Sequence, residues 1–236
     1  MTDFGSIAFC VRVGKVCDPL FLNSWSHLIA AGALREGDRL LPPAIELPHH
    51  WSANSLVHTF LTQTECDTLM MVDDDMVFRA GDVAALRDHE ANHPYGVVQG
   101  LCVSRQPPHA PLILRDAGQD LVNAYEPDRD GSDETIEVSM CGLAFTLIRR
   151  EVFMGIGEVG DLFFRWGDEG RGEDFRFCID AKAAGFRMGV DARVSIGHRV
   201  AVTIYHDTAS GKPTYSSYPN DSFRALLDYR GKHKKA

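Results

Sequence analysis

The chain has 236 residues, 44% of them hydrophobic, 9% aromatic and 24% charged, which excludes a disordered or fibrous polymer and is long enough for one buried core. With 24 Lys and Arg against 33 Asp and Glu the formal charge is −9, which argues against a coat held on nucleic acid by charge alone. No run approaches the roughly 18 apolar residues of a membrane span, and Met-Thr-Asp-Phe-Gly lacks the parts of a signal peptide, so a cytoplasmic protein is expected.

Ser6–Val13 is an apolar, β-rich run, and 18–33 has the look of a helix with Leu22, Trp25, Leu28 and Ile29 on one face. The proline-bearing passage 35–50 leaves room for at most a short strand. A helix is expected from Ser52, with Leu56, Val57, Phe60 and Leu61 at helical spacing. Thr68–Val72 is wholly apolar and reads as a buried central strand, ending abruptly in Asp73-Asp74-Asp75. Residues 80–89 form a helix capped by Asp82 or its predecessors.

Three strand candidates follow, at 96–104, 111–115 and 136–148, the last interrupted at Gly142. The polar stretch 116–134 between the second and third reads as an exposed loop or hairpin rim. Phe163-Phe164-Arg165-Trp166 and a glycine-rich loop then lead to Glu173-Asp174 and a helix stopped by Gly185. Two short strands, 188–190 and 194–196, precede Gly197-His198. Alternating elements predict an α/β sandwich, mostly parallel at its centre. Residues 1–204 would form one domain and 205–236 a polar tail with a basic tip, Arg230, Lys232, Lys234 and Lys235. The six cysteines show neither C-x-x-C nor zinc spacing and are expected to be reduced, most of them buried.

The acid triplet carries the most chemistry. A buried strand ending in three acids puts negative charge where open α/β sheets bind ligands, beyond their strand ends. Alternate side chains share a face, so Asp73 and Asp75 reach one centre while Asp74 points elsewhere. Hard oxygen ligands of this kind suit Mg²⁺ or Mn²⁺ bridging nucleotide phosphates. A solvated acidic turn is the plain alternative. Glu173 and Asp174 form a second acidic site, which helix capping alone would also explain. Trp166 is a stacking platform or a core residue. His198, at the end of a short strand, can be a third metal ligand beside two carboxylates.

Taken in order, Asp73-Asp74-Asp75 after an apolar strand, a strand ending near Gly142 followed by Ile148-Arg149-Arg150-Glu151-Val152-Phe153, Gly172-Glu173-Asp174 opening a helix, and His198 resemble the GT-A-fold glycosyltransferases. The likeness is to small bacterial and bacteriophage members of the family-two-like group and spans roughly residues 6–200. It implies a nucleotide-binding α/β/α sandwich, a divalent cation, Mn²⁺ or Mg²⁺, and a nucleotide-sugar donor of the UDP type. It further implies that Asp73, Asp75 and His198 hold the metal and that Asp174, or else Glu173, is the base of an inverting transfer to a hydroxyl. Arg12, Asn54, Asp73, Asp74, Gly142 and Trp166 would meet the nucleotide. Residues 106–111 look like the acceptor-side loop of phage relatives.

Other readings fit parts of the pattern. Asp73-Asp74-Asp75-Met76-Val77 matches the D-x-D-x-[T/V] of haloacid-dehalogenase-like phosphatases, with Asp73 as nucleophile, but that motif belongs on a first strand. A nucleotidyltransferase would use similar acids, yet its glycine-rich basic loop has only Val13-Gly14-Lys15 to stand for it. A binding module without turnover is disfavoured by both acidic sites and the histidine being present together. For the acceptor, a hydroxymethylated DNA base would draw on the basic tip and on Arg105, Arg115, Arg149 and Arg150.

Overall fold

The computed structural model describes residues 4–88, 95–105, 109–117, 120–123, 135–167, 172–200, 202–207 and 212–217. Its first half builds β1 (Ile7–Val13), α1 (Pro19–Ala30), β2 (Arg39–Leu40), β3 (Ala44–Ile45), α2 (His49–Gln63), β4 (Thr68–Asp73), β5 (Met76–Val77), α3 (Ala80–Arg87) and β6 (Tyr95–Leu101). The second half adds β7 (Ile113–Ala117), β8 (Asp120–Asn123), β9 (Thr135–Val138), β10 (Met140–Cys141), β11 (Phe145–Arg149), α4 (Arg150–Ile156), α5 (Glu173–Ala183), β12 (Arg187–Ser195), β13 (Gly197–His198), β14 (Val202–Asp207) and β15 (Lys212–Ser217).

The main sheet has the order β2-β1-β4-β11-β6-β12-β9, with β3 also on β1. Its strands run one way except β11 and β9. The sheet is therefore mostly parallel, but an antiparallel strand sits inside it, between β4 and β6. Period-two alternation along the strands sorts side chains onto two faces. Ala8, Cys10, Leu69 and Met71 join a core with Leu56, Phe60, Phe153 and Phe177, under α2, α4 and α5. Ile7, Phe9, Val11, Met70 and Val72 join another with Phe21, Leu28, Val83 and Leu86, under α1 and α3. Helices on both faces explain why β1 and β4 are apolar throughout.

Several local expectations shift. On α1 the buried face is Phe21, Ser24 and Leu28, whereas Leu22 and Ile29 are exposed. Pro19 starts this helix, capped by Asp18, whose carboxylate accepts from the Leu20 N–H. The passage 35–50 holds two strands of two residues each, and α2 begins at His49, after Pro48, earlier than expected. The run 136–148 is three strands in different places, because the chain bends at Ser139 and turns again at Leu143. That residue has φ 51°, and its N–H is held by the buried Gln99 Oε1 at 2.6 Å. Conversely, 187–195 is one strand with an irregularity against β6 after Asp191. Part of 116–134 is the β7–β8 hairpin, and residues 124–134 lie outside the described ones. β14 and β15 pair antiparallel, so a boundary at 204 falls inside a hairpin. The basic tip, like residues 106–108 and 168–171, lies outside the described residues.

Candidate active site

The chain order turns back between β1 and β4, since β2 and β3 lie on one side of β1 and β4 on the other. Ligands of open α/β sheets bind beyond the strand ends at such a point. A cleft of about 400 Å³ opens there, with Arg12 and Asp73 in its floor and Asp75, His198, Glu173 and Asp174 around it. Gly14, Asp74, Gly142 and Arg105 also line it.

Strand register builds the floor. Arg12 and Asp73 are paired neighbours on the parallel strands β1 and β4, and by alternation both face the α5 side. Arg12 Nε donates to Asp73 Oδ1 at 2.6 Å. Its Nη1 lies 3.6 Å from Asp174 Oδ1, an ion pair too long for a hydrogen bond. Arg12 is 4% exposed, yet both Nη1 and Asp174 Oδ1 are buried without a hydrogen-bond partner. Burial opposes the guanidinium charge, but Asp73 and Asp174 more than restore it and hold its pKa above the usual value. Burial pushes the Asp174 carboxyl up to about 7, Arg12 works against that shift, and Asp73 and Glu173 add to it.

The outer wall comes from pairing distant in sequence. β13 runs antiparallel to β5, matching His198 with Met76, directly after the acid triplet. The imidazole thereby comes to 3.3 Å from Asp75 Oδ2 through Nε2, while Nδ1 lies 2.7 Å from the Val103 carbonyl. Burial disfavours its charge, but the bond to Asp75 overcomes this and raises its pKa to about 10. Arg105 also reaches Asp75, at 3.2 Å. Residues 74 and 75 form the turn between β4 and β5, so strand alternation does not sort them, and Asp74, which also lines the cleft, accepts from the Gly14 N–H at 2.8 Å.

A divalent cation fits part of this set. Nδ1 is held by a carbonyl, so Nε2 would present a lone pair to a cation beside Asp75 once that cation displaced its proton, the arrangement that metal-binding imidazoles use. Among the described residues, however, no group of three or more His, Cys, Asp or Glu gathers tightly enough to hold an ion alone. Asp73 is the weak member of the expected triad, because one of its oxygens is committed to Arg12. The remaining positions would fall to ligand oxygens and water, as is usual for Mg²⁺.

Asn54 and Trp166 fall elsewhere. The Asn54 amide donates to the carbonyls of His50 and Phe164, each at 2.7 Å, and accepts from the Phe164 N–H at 3.0 Å. Its hydrogen-bonding capacity is spent tying α2 to the segment before α5, and it does not line the cleft. Trp166 is 61% exposed, so it is not a core residue, and it too is absent from the cleft walls. Arg149 and Arg150 sit at the opposite end of β4, where Arg149 pairs with Thr68. Arg149 covers the Phe4 ring and Arg150 binds carbonyls at the end of α2, so neither joins a phosphate strip beside the cleft.

Sequence reasoning passed over His49 and Ser52, which line the cleft from the first turn of α2. Ser52 Oγ is buried without a partner. The signal was Pro48: a helix begun there brings positions 49 and 52 onto one face.

Neither a protein-family model nor a curated protein matches the chain. Solved structures do. A197 from STIV superposes with a TM-score of 0.54 at 19% identity, over 92% of this chain and 95% of that one. GalNAc-T7, in a crystal structure with UDP, GalNAc and Mn²⁺, superposes with a TM-score of 0.56 at 12% identity, over 82% of this chain and 43% of its own. The chain has a GT-A-like fold and resembles the small viral members with that architecture.

Proposed function

We propose that the chain is a metal-dependent glycosyltransferase moving a sugar from a nucleotide-sugar donor, a UDP-sugar, to a hydroxyl acceptor with inversion. The observation that carries this reading is the meeting of Asp73, Asp75, His198, Glu173 and Asp174 in one cleft at the sheet's switch point. The fold it shares with GalNAc-T7, a protein seen with UDP and Mn²⁺, supports the donor class. Asp75 and His198, with the free oxygen of Asp73, would hold Mn²⁺ or Mg²⁺. Such an ion, when bound, neutralises charge on the leaving diphosphate.

Asp174 is the base. It sits at the start of α5 with a pKa of about 7, close to the optimum for proton transfer at neutral pH. Gly14, whose absent Cβ would meet only Asp74 at 3.7 Å, leaves its side of the cleft open to a diphosphate and sugar. Glu173, 9% exposed, contributes negative charge that favours an oxocarbenium-like centre.

The test is thermal stability against UDP, GDP, CDP and ADP with Mn²⁺, with Mg²⁺ and with chelator. Ligand at about 100 times its Kd adds about 2.7 kcal/mol and should raise Tm by about 5–10 °C in a chain of this size. A Mn²⁺-dependent rise with UDP alone supports the reading. No rise with any nucleotide, beside a response to beryllium or aluminium fluoride, moves the assignment to a phosphatase.

A further inference from the structure

Asp75 Oδ2 is shared by two basic side chains. His198 Nε2 lies 3.3 Å from it and Arg105 Nη1 3.2 Å. The two are held differently. The imidazole is 9% exposed and is fixed from behind by the Val103 carbonyl, whereas the Arg105 side chain is 54% exposed and lines the open cleft. The chain just before Arg105 is pinned: the Ser104 N–H donates to the Ala110 carbonyl at 2.8 Å, the Leu112 N–H to the Cys102 carbonyl at 3.0 Å, and Val103 is bridged to Pro111. Any change of partner therefore falls to the long guanidinium stem. A divalent cation would also affect the two groups differently. An imidazole nitrogen is itself a ligand and can share a cation with Asp75. A guanidinium stays protonated and has no lone pair to offer, so it and a cation at about 2 Å from the same oxygen exclude one another. The neighbouring acids are engaged, Asp73 with Arg12 and Asp74 with the Gly14 N–H. A displaced Arg105 is left beside the cleft in need of an anion, and the oxygens of a diphosphate match its planar fork.

We propose that Arg105 competes with the divalent cation for Asp75 and, once displaced, binds the diphosphate of the donor. The proposal rests on the glycosyltransferase reading and deepens it. Arg105 exchanges one ion pair for another, with no proton transferred and no covalent bond made or broken. Its effect on the two ligands has opposite signs. Without nucleotide it weakens cation binding, because both positive groups want one oxygen. With the cation in place it strengthens diphosphate binding, because the guanidinium has lost its carboxylate and gains phosphate oxygens. Nucleotide and cation therefore favour one another through Arg105, each raising the affinity of the other by the same factor.

The experiment is calorimetric titration of the parent, Arg105→Gln and Arg105→Lys with Mn²⁺ alone, and then with UDP and with UMP at saturating Mn²⁺. Arg105→Gln is expected to bind Mn²⁺ alone about 3-fold more tightly, since the pair it removes is an exposed one. The same variant should bind UDP about 10-fold more weakly, with UMP, which lacks the second phosphate, within about 2-fold of the parent. Arg105→Lys keeps the charge without the fork and should fall between the two on UDP. Mn²⁺ affinity unchanged or reduced in Arg105→Gln overturns the competition for Asp75. A UDP loss matched by UMP, or no UDP loss, overturns the diphosphate role and leaves the glycosyltransferase reading standing. A parent that takes up Mn²⁺ but no UDP fails that reading and the diphosphate role with it, and the Mn²⁺ titration still decides whether Arg105 and a cation compete. Absence of Mn²⁺ uptake by all three proteins overturns the proposal at its first step.

Discussion

At Asp174 the chain places a carboxyl where the folded state favours its neutral form. Its pKa rises from 3.8 to about 7, so between those values the folded protein keeps a proton that the unfolded chain has released. Stability from this group is present at low pH and is lost as pH rises through about 7, the reverse of an ordinary salt-bridged aspartate. Asp174→Asn should therefore melt higher than the parent at pH 8, with the gap narrowing at pH 5, as followed by calorimetry. The same variant should keep Mn²⁺-dependent UDP binding and lose about 10²–10⁴-fold in turnover. In the parent, turnover should climb as pH passes through about 7, since only the carboxylate accepts a proton. Asp75→Ala behaves differently: its Mn²⁺-dependent UDP binding should vanish in calorimetry, because the proposed metal ligand and the partner of His198 go together.

The helices are held by contacts that local sequence does not announce. Arg150 lies over the Phe60 ring and donates to the carbonyls of Cys66 and Thr64, both at 2.8 Å, and of Phe60 at 3.2 Å. It closes the C-terminal end of α2, whose last carbonyls have no helical partner. Arg150→Ala should cost about 2–4 kcal/mol in denaturant unfolding, and Arg150→Lys should recover little, because an ammonium cannot fork across several acceptors. Phe153 of α4 meets Phe60 of α2, Phe163 and Phe177 of α5 at ring distances of 6.0, 5.3 and 5.7 Å. Phe153→Ala should cost about 3–5 kcal/mol and loosen α5, which carries the proposed base. A loss of stability with turnover and the KM for donor unchanged would show that this cluster does not support α5.

For the molecule as a whole, one sheet with a core on each face implies a single cooperative unfolding transition. All six cysteines are free, five of them buried and Cys17 half-buried. Thiol titration of the native protein should accordingly modify Cys17 alone, slowly because burial raises its pKa, and denaturant should release the other five. Reductant should leave Tm unchanged. No helix among the described residues is long and apolar enough to cross a membrane.

Much of this was legible from local pattern. The alternation in β1 and β4, the acids at the end of an apolar strand and the acidic opening of α5 are intrinsic to their segments, because a side chain's face follows from the period of its own backbone. The resemblance put Arg12 and Asp73 near one nucleotide, though not beside each other. Which segments meet depends on strand order and register, set by packing between distant pieces of chain. Only the tertiary structure brought His198 to Asp75 through the β5–β13 pair, joined Arg12 to Asp174, and spent Asn54 on a backbone bridge. The α1 face was misjudged for a related reason: Leu22 and Ile29 are apolar, but the sheet reaches only the side of the helix that carries Phe21 and Leu28. Composition and period decide what can be buried, and the arrangement of neighbours decides what is.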